Sequence, residues 1–225
     1  MIVLLAIAGA TALVPVMAPA QMGGGPMSQR PGAGGPPDTP MESDPANEKP
    51  DAAAKKAYAA GLKALTKARE YDAAADKASN ADKRAKELDK ADDAYVKALD
   101  EFTEALANKG DMLDAWNYAG SIHLRLGAYA ESVDDFNHVL RQNADLYAAV
   151  ESRAEACLAL DRLDEVESAY MDLSSHSAPL ADRLMQVMQQ WLKSRRADPK
   201  GVRVSDVDAF DKWLQERAAA AKAST

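Results

Sequence analysis

"AYVKALDEFTEAL" fills residues 94–106 and "AYAESVDDFNHVL" fills residues 128–140. The Ala-Tyr opening, the Asp-x-Phe and the closing Leu recur, each pair 34 residues apart. A further step of 34 brings Tyr170 to the place of Phe102 and Phe136, and Leu173 to that of Ala105 and Val139. A fixed period in the range of about 20–50 residues is the mark of a chain built from stacked, similar units. Within each segment the large apolar residues fall three and four apart, the spacing of one helix face.

The composition around this period favours helix. Of the eleven prolines seven lie within residues 21–50, and none lies between Asp51 and Ala178. A proline-free stretch of that length, rich in Ala, Leu, Lys, Glu and Asp, predicts helix throughout. The 225 residues are 28% charged and 47% hydrophobic with a formal net charge of −8. That allows a sizeable core. It also excludes nucleic acid as a partner, since no basic face is present to neutralise phosphates.

Residues 113–146 read "LDAWNYAGSIHLRLGAYAESVDDFNHVLRQNADL". Trp116, Ala119, Gly120 and His123, then Ser132, Phe136 and Ala144, fall at the signature places of the tetratricopeptide repeat, which this stretch resembles. Trp116, Gly120 and Phe136 match outright, and the closing proline is absent. Residues 147–180 form a diverged second repeat, with Ala154 for Gly120 and Tyr170 for Phe136. There Arg153 stands where a large apolar residue is expected, and Asp161-Arg162 replaces the Gly127 turn. The resemblance covers 113–180 well and 93–107 in part. It implies an all-α fold, a right-handed αα-superhelix of tetratricopeptide type, with Trp116, Gly120, Phe102, Phe136, Ala154 and Tyr170 in the repeat core. Gly120 lets two helices cross closely, Trp116 and Phe136 fill the space beside it, and Gly127 ends the first helix. Asp111 is the expected N-cap.

Upstream the pattern changes. Residues 51–112 read as a helical hairpin with a partial repeat. Asp51 caps a helix over 52–78 with Tyr58, Leu62, Leu65 and Tyr71 inward, and Ser79-x-x-Asp82 opens a second over 81–107. Ala81, Ala85, Leu88, Ala91, Tyr95, Ala98, Phe102 and Ala105 form its inner face. A single helix over 72–107 is the alternative. Downstream, residues 181–225 supply two capping helices, which a solenoid needs to cover its last apolar face. Pro179 opens the first, whose inner face is Leu180, Leu184, Val187, Met188 and Trp191. Ser205-x-x-Asp208 opens the second, with Val207, Phe210, Trp213 and Leu214 inward.

The N-terminus has another character. Residues 1–20, "MIVLLAIAGATALVPVMAPA", are apolar and end in Ala18-Pro19-Ala20, a small-x-small cleavage pattern before Gln21. Two readings stay open: a signal peptide of an exported, periplasmic protein, or an uncleaved N-terminal anchor in the inner membrane. Membrane contact is expected only if residues 1–20 are retained. Residues 21–50, with six of twelve glycines and seven prolines, read as a disordered tether. Cys157 is the one cysteine, so no intramolecular disulfide forms.

No motif for catalysis, cofactor or metal stands out. His123, His138 and His176 lack metal-ligand spacing. His123 reads as a satisfied interior histidine, His138 and His176 as an exposed helix position and a loop, and Cys157 as buried and inert. The expectation is a non-enzymatic adaptor that binds a protein or peptide in the cell envelope, with no cofactor. Its candidate peptide groove comprises Asp114, Asn117, Ser121, Leu124, Arg125, Glu151 and Glu155, with Ala148, Leu158 and Ala159 beside them. One branch of the resembled family grips C-terminal carboxylates with Lys, Asn and Arg, but here those places hold Asn117, Ser121, Ala148 and Ser152. The acidic groove predicts a basic or polar partner segment. A structural protein that self-assembles through the 52–107 hairpin is the rival reading.

Overall fold

The computed structural model of the chain describes residues 45–223, with side chains over 51–220. The fold is all-α: eight helices and no strand among the described residues. They are α1 (Pro45–Asp76), α2 (Ala81–Asn108), α3 (Leu113–Leu126), α4 (Tyr129–Gln142), α5 (Tyr147–Ala159), α6 (Leu163–His176), α7 (Ala178–Ala197) and α8 (Val204–Ala223). Each packs mainly on its neighbours in sequence, and α3 touches α5 as α5 touches α7. The four helices from α3 to α6 have 13 or 14 residues each, whereas α1 and α2 have 32 and 28. At 1.5 Å per residue, α2 is about 42 Å long and α3 about 21 Å.

The chain turns at residues 77–80, so α1 and α2 form a hairpin and no single helix covers 72–107. Its ends differ from expectation. The helix begins at Pro45, because a proline in the first turn lacks only an N–H that would be unpaired anyway. Asp51 is therefore inside α1, where it pairs with Lys109 of the α2–α3 turn at 3.3 Å, and does not cap. Residues 45–50 of the expected tether are helical, and its remainder and residues 1–20 lie outside the described residues. At the start of α2, Asn80 and not Ser79 is the cap, its Oδ1 accepting from the Lys83 N–H at 2.9 Å. Ala81 and Ala85 are exposed, contrary to the expected inner face, which is buried from Ala91 onward.

Other caps fail for one reason: the helices start one or more residues from the expected polar side chain. Met112 and not Asp111 is N-cap of α3, with no side-chain bond. Ser205 and Asp208 fall inside α8, which opens at Val204. Pro179 does sit in the first turn of α7. Gly127 ends α3 in the left-handed region at φ 79°, and Asp161 takes up the same conformation at φ 59° one period later.

The core repeats one crossing. A Cβ on Gly120 would lie 3.2 Å from the Phe136 ring, and one on Gly61 would lie 2.8 Å from Phe102. Small residue against aromatic thus occurs in α1–α2 as well as α3–α4. Ala154 and Tyr170 belong to one buried cluster that continues into Leu184, Met188, Trp191, Val207, Phe210 and Leu214 of α7 and α8. Trp191 meets Phe210 edge-on at 5.3 Å, and Trp213 meets Tyr170 edge-on at 5.5 Å. Trp116 is partly buried and packs against the cluster of Phe136, Val139 and Ala149, stacked on the exposed His138 at 4.2 Å, with its indole N–H donating to Gly110 O at 2.9 Å. The aromatic ring that fills the space beside Gly120 is Phe136.

Candidate functional site

The seven candidate groove residues lie on α3 and α5, but packing divides them. Asp114 is exposed at the start of α3. Asn117 and Ser121 are partly exposed one turn apart, and the Ser121 hydroxyl donates to the Asn117 carbonyl at 2.8 Å. These three stay available to a ligand.

Leu124 does not. It packs against the cluster around α5–α8, and Leu158 of α5 is buried in that cluster. An apolar side chain near a helix–helix contact goes to the larger apolar surface, whatever its place in a repeat. Arg125 is also committed elsewhere. Its guanidinium donates to Asp72 at 2.9 Å, reaches Asp92 at 3.2 Å, and lies 5.3 Å from the centre of the Tyr95 ring. The Tyr95 hydroxyl donates to the other Asp72 oxygen at 2.6 Å. Burial works against this guanidinium's charge, but Asp72 and Asp92 outweigh it and raise its pKa. Arg125 therefore pins the end of α3 to the middle of the hairpin.

Glu151 is the larger correction. It is 3% exposed, so it is not part of a solvated face. Arg183 of α7 grips it in a two-pronged pair, Nε to Oε1 at 2.8 Å and Nη2 to Oε2 at 2.6 Å. Glu155, one turn further along α5, is partly exposed. Among the described residues it has no hydrogen bond or ion pair. Burial, with the Glu151 charge added to it, pushes its carboxyl up to about 7, and Arg183 only partly opposes this.

Three residues outside the expected set shape the same region. Tyr118 stacks on Phe102 at 5.1 Å and lies 6.2 Å from Tyr58, so α1 and α3 present two tyrosine rings beside Asp114. Burial, then the Asp114 charge, raises the Tyr58 phenol. Arg183 completes the α5–α7 contact, and Arg153 donates to Asn137 at 2.7 Å and Glu165 at 2.6 Å, joining α4, α5 and α6. Tyr118 sits two residues from Trp116, and its aromatic character was a signal that could have found it. Arg183 carried none, since its place one and two periods earlier holds Ala149 and Ala115.

Of the remaining groups, His123 Nδ1 lies 2.7 Å from Asp135 Oδ2 between α3 and α4. Cys157 is buried, and burial pushes its thiol up to about 11, which suppresses the thiolate. His176 ends α6 rather than lying in a loop, stacked on Tyr147 at 5.0 Å. No group of three His, Cys, Asp or Glu among the described residues is placed to hold a metal ion. No helix among them is long and apolar enough to cross a membrane. Comparison with family models, curated proteins and solved structures gave no match.

Proposed function

We propose that this chain is a non-enzymatic adaptor of the cell envelope, an αα-superhelix of tetratricopeptide type that holds a protein or peptide partner against α3 and α5. The observation that carries this reading is a polar ladder left over from packing. Among the described residues, Asp114, Asn117 and Ser121 on α3 and Glu155 on α5 make no hydrogen bond or ion pair to another helix, while α3 packs on α5 and α5 on α7. Polar side chains one turn apart on adjoining helices suit recognition of an extended or helical segment. The envelope part rests on the apolar residues 1–20 and their Ala18-Pro19-Ala20 ending.

A photo-crosslinking residue at Ser121, compared with one at the exposed Asp134 of α4, tests the groove in the cells that make the protein. Crosslinks should form from 121 and not from 134; the reverse sinks the reading. Sequencing of the mature N-terminus should begin at or beside Gln21, and an intact chain in the cytosol removes the export half.

One observation favours the self-assembly reading. Residues 79–86 are all exposed, at the tip of a hairpin whose helices are about twice as long as α3 to α6, with Ala81 and Ala85 on its uncovered side. A monomer in light scattering of the purified protein rules this reading out.

A further inference from the structure

Glu151 and Glu155 are four residues apart on α5, so their side chains lie on the same helix face, toward the contact with α7. Across from them stands Arg183, whose Nε and Nη2 both serve Glu151. Among the described residues, the charged groups acting on Glu155 are Glu151 on its own helix and Arg183 on α7. Two carboxylates thus share one guanidinium, and a negative charge is left over on the partly exposed Glu155. A carboxylate in that position, without hydrogen bonds or a matching cation, is costly to the free protein. A ligand cation would remove the cost by completing a set of two carboxylates and two cations. A divalent metal fits less well, because Arg183 already places a positive charge 2.6 Å from Glu151 and leaves too few oxygen ligands. A Lys or Arg side chain brings one charge and its own donors.

Resting on the groove reading above, we propose that the Glu155 carboxylate is the docking point for a single Lys or Arg side chain of the bound partner segment, seated between α5 and α7 beside the Glu151–Arg183 pair. The neighbouring positions on α3, Asn117 and Ser121, are neutral, so the cation goes to α5 and fixes which end of the segment lies there. The interaction needs the ionised carboxylate. Affinity for the cation is therefore full above the Glu155 titration midpoint and falls about tenfold per pH unit below it.

Two measurements on the full chain test this. First, a peptide library is panned on the native protein and on Glu155→Gln at pH 8 and constant ionic strength. Native protein should enrich peptides with Lys or Arg at one fixed position, and Glu155→Gln should lose that preference by tenfold or more. Equal enrichment by both proteins, or enriched peptides without a fixed cation, overturns the docking carboxylate and leaves the groove standing. Second, N-acetyl-arginine amide is titrated while the Glu155 side-chain carboxyl is followed by carbon NMR. The probe should lower the carboxyl's titration midpoint, whereas N-acetyl-glutamine amide should not. A midpoint unmoved by either overturns the proposal. If the arginine probe acts but no peptide is enriched, the cation contact at Glu155 stands and the groove reading falls.

Discussion

The two helix pairs, α3–α4 and α5–α6, are alike in length but differ in chemistry at three matched places of their seams. In the first, His123 meets Asp135 at 2.7 Å, and the buried Ser132 donates to the Gly120 carbonyl at 2.9 Å. One period on, the same three places hold Cys157, Ala169 and Val166, all buried and apolar. The polar residues have changed together. That is what the physics of burial requires: a buried donor or acceptor is tolerated only with its partner, so losing Asp135 alone would strand His123. What the units keep is geometry, a small residue at 120 or 154 and an aromatic at 136 or 170. The comparison teaches that the 34-residue period constrains volume at the helix crossing, while hydrogen bonding across the seam is free to vary as a set.

The largest expected effect tests the shared part. Phe136 is 0% exposed and closes on Gly120, so Phe136→Ala should destabilise by about 3–5 kcal/mol in urea unfolding. Tyr170→Ala should cost less, because Tyr170 is 7% exposed and leans on Trp213 at the edge of its cluster. If Tyr170→Ala is the more damaging change, the two crossings are not equivalent.

The seam itself is the next place to press. Asp135→Ala should cost about 2–3 kcal/mol, the range for leaving a partner of a charged group unpaired. Replacing the whole set with its counterpart (His123→Cys, Ser132→Val and Asp135→Ala together) should cost less than the sum of the three single changes, by about 1–3 kcal/mol. Strict additivity would show that these residues do not act as one unit.

Much of this architecture was legible in advance and some was not, for definite reasons. Period and composition located α3 to α7 closely, because apolar spacing and the Gly127 and Pro179 signals are local. The hairpin was readable from Tyr58, Leu62 and Leu65, but its role as a further crossing was not. Gly61 and Gly120 are 59 residues apart, so the long loop-end of the hairpin breaks the period that links Phe102 to Phe136. Caps at Asp51, Asp111 and Ser79 were misplaced because several polar residues near each helix start could serve, and packing chooses among them. At the candidate site, position on the helix face was legible but commitment was not. Arg125 and Glu151 look like groove residues until Asp72 and Arg183, 53 and 32 residues away, reach them.

Glu155 supplies a smaller and pH-dependent effect. Its carboxyl, at about 7 against an ordinary 4.5, binds a proton more tightly folded than unfolded. The sign follows: the folded state carries more protons between those values, so stability falls as pH rises from about 4.5 to about 7 and stays lower above. Glu155→Gln should therefore match the native protein near pH 4 and exceed it near pH 8 by about 1–2 kcal/mol. Ser121→Gln, at the corresponding place of the first unit, should leave the pH profile unaltered. By contrast Glu151→Lys should lower stability at every pH, since it sets a second cation against Arg183 in the place of a buried carboxylate.

The turns between helices give the finest test. Gly127 and Asp161 occupy one place in the two units and both have positive φ, 79° and 59°. Glycine adopts this region without a steric penalty, whereas for other residues it costs about 1–2 kcal/mol, with Asp among the more tolerant. Yet Asp161 has uses that glycine could not serve. Its Oδ1 accepts from the Trp191 indole at 3.2 Å and from Arg195, through Nε at 3.0 Å and Nη2 at 2.6 Å. Arg195 is buried, so removing that carboxylate strands its charge among α7 side chains. Relief of backbone strain and loss of these bonds oppose each other in Asp161→Gly, and the bonds win because a buried guanidinium depends on them. The expected net loss is about 1 kcal/mol. Gly127→Asp should cost a similar amount for the opposite reason, adding strain with no Trp or Arg to accept from. If Asp161→Gly raises the melting temperature instead, the Asp161–Arg195 pair does not hold α7 against α5, and the second unit's turn is merely a strained copy of the first.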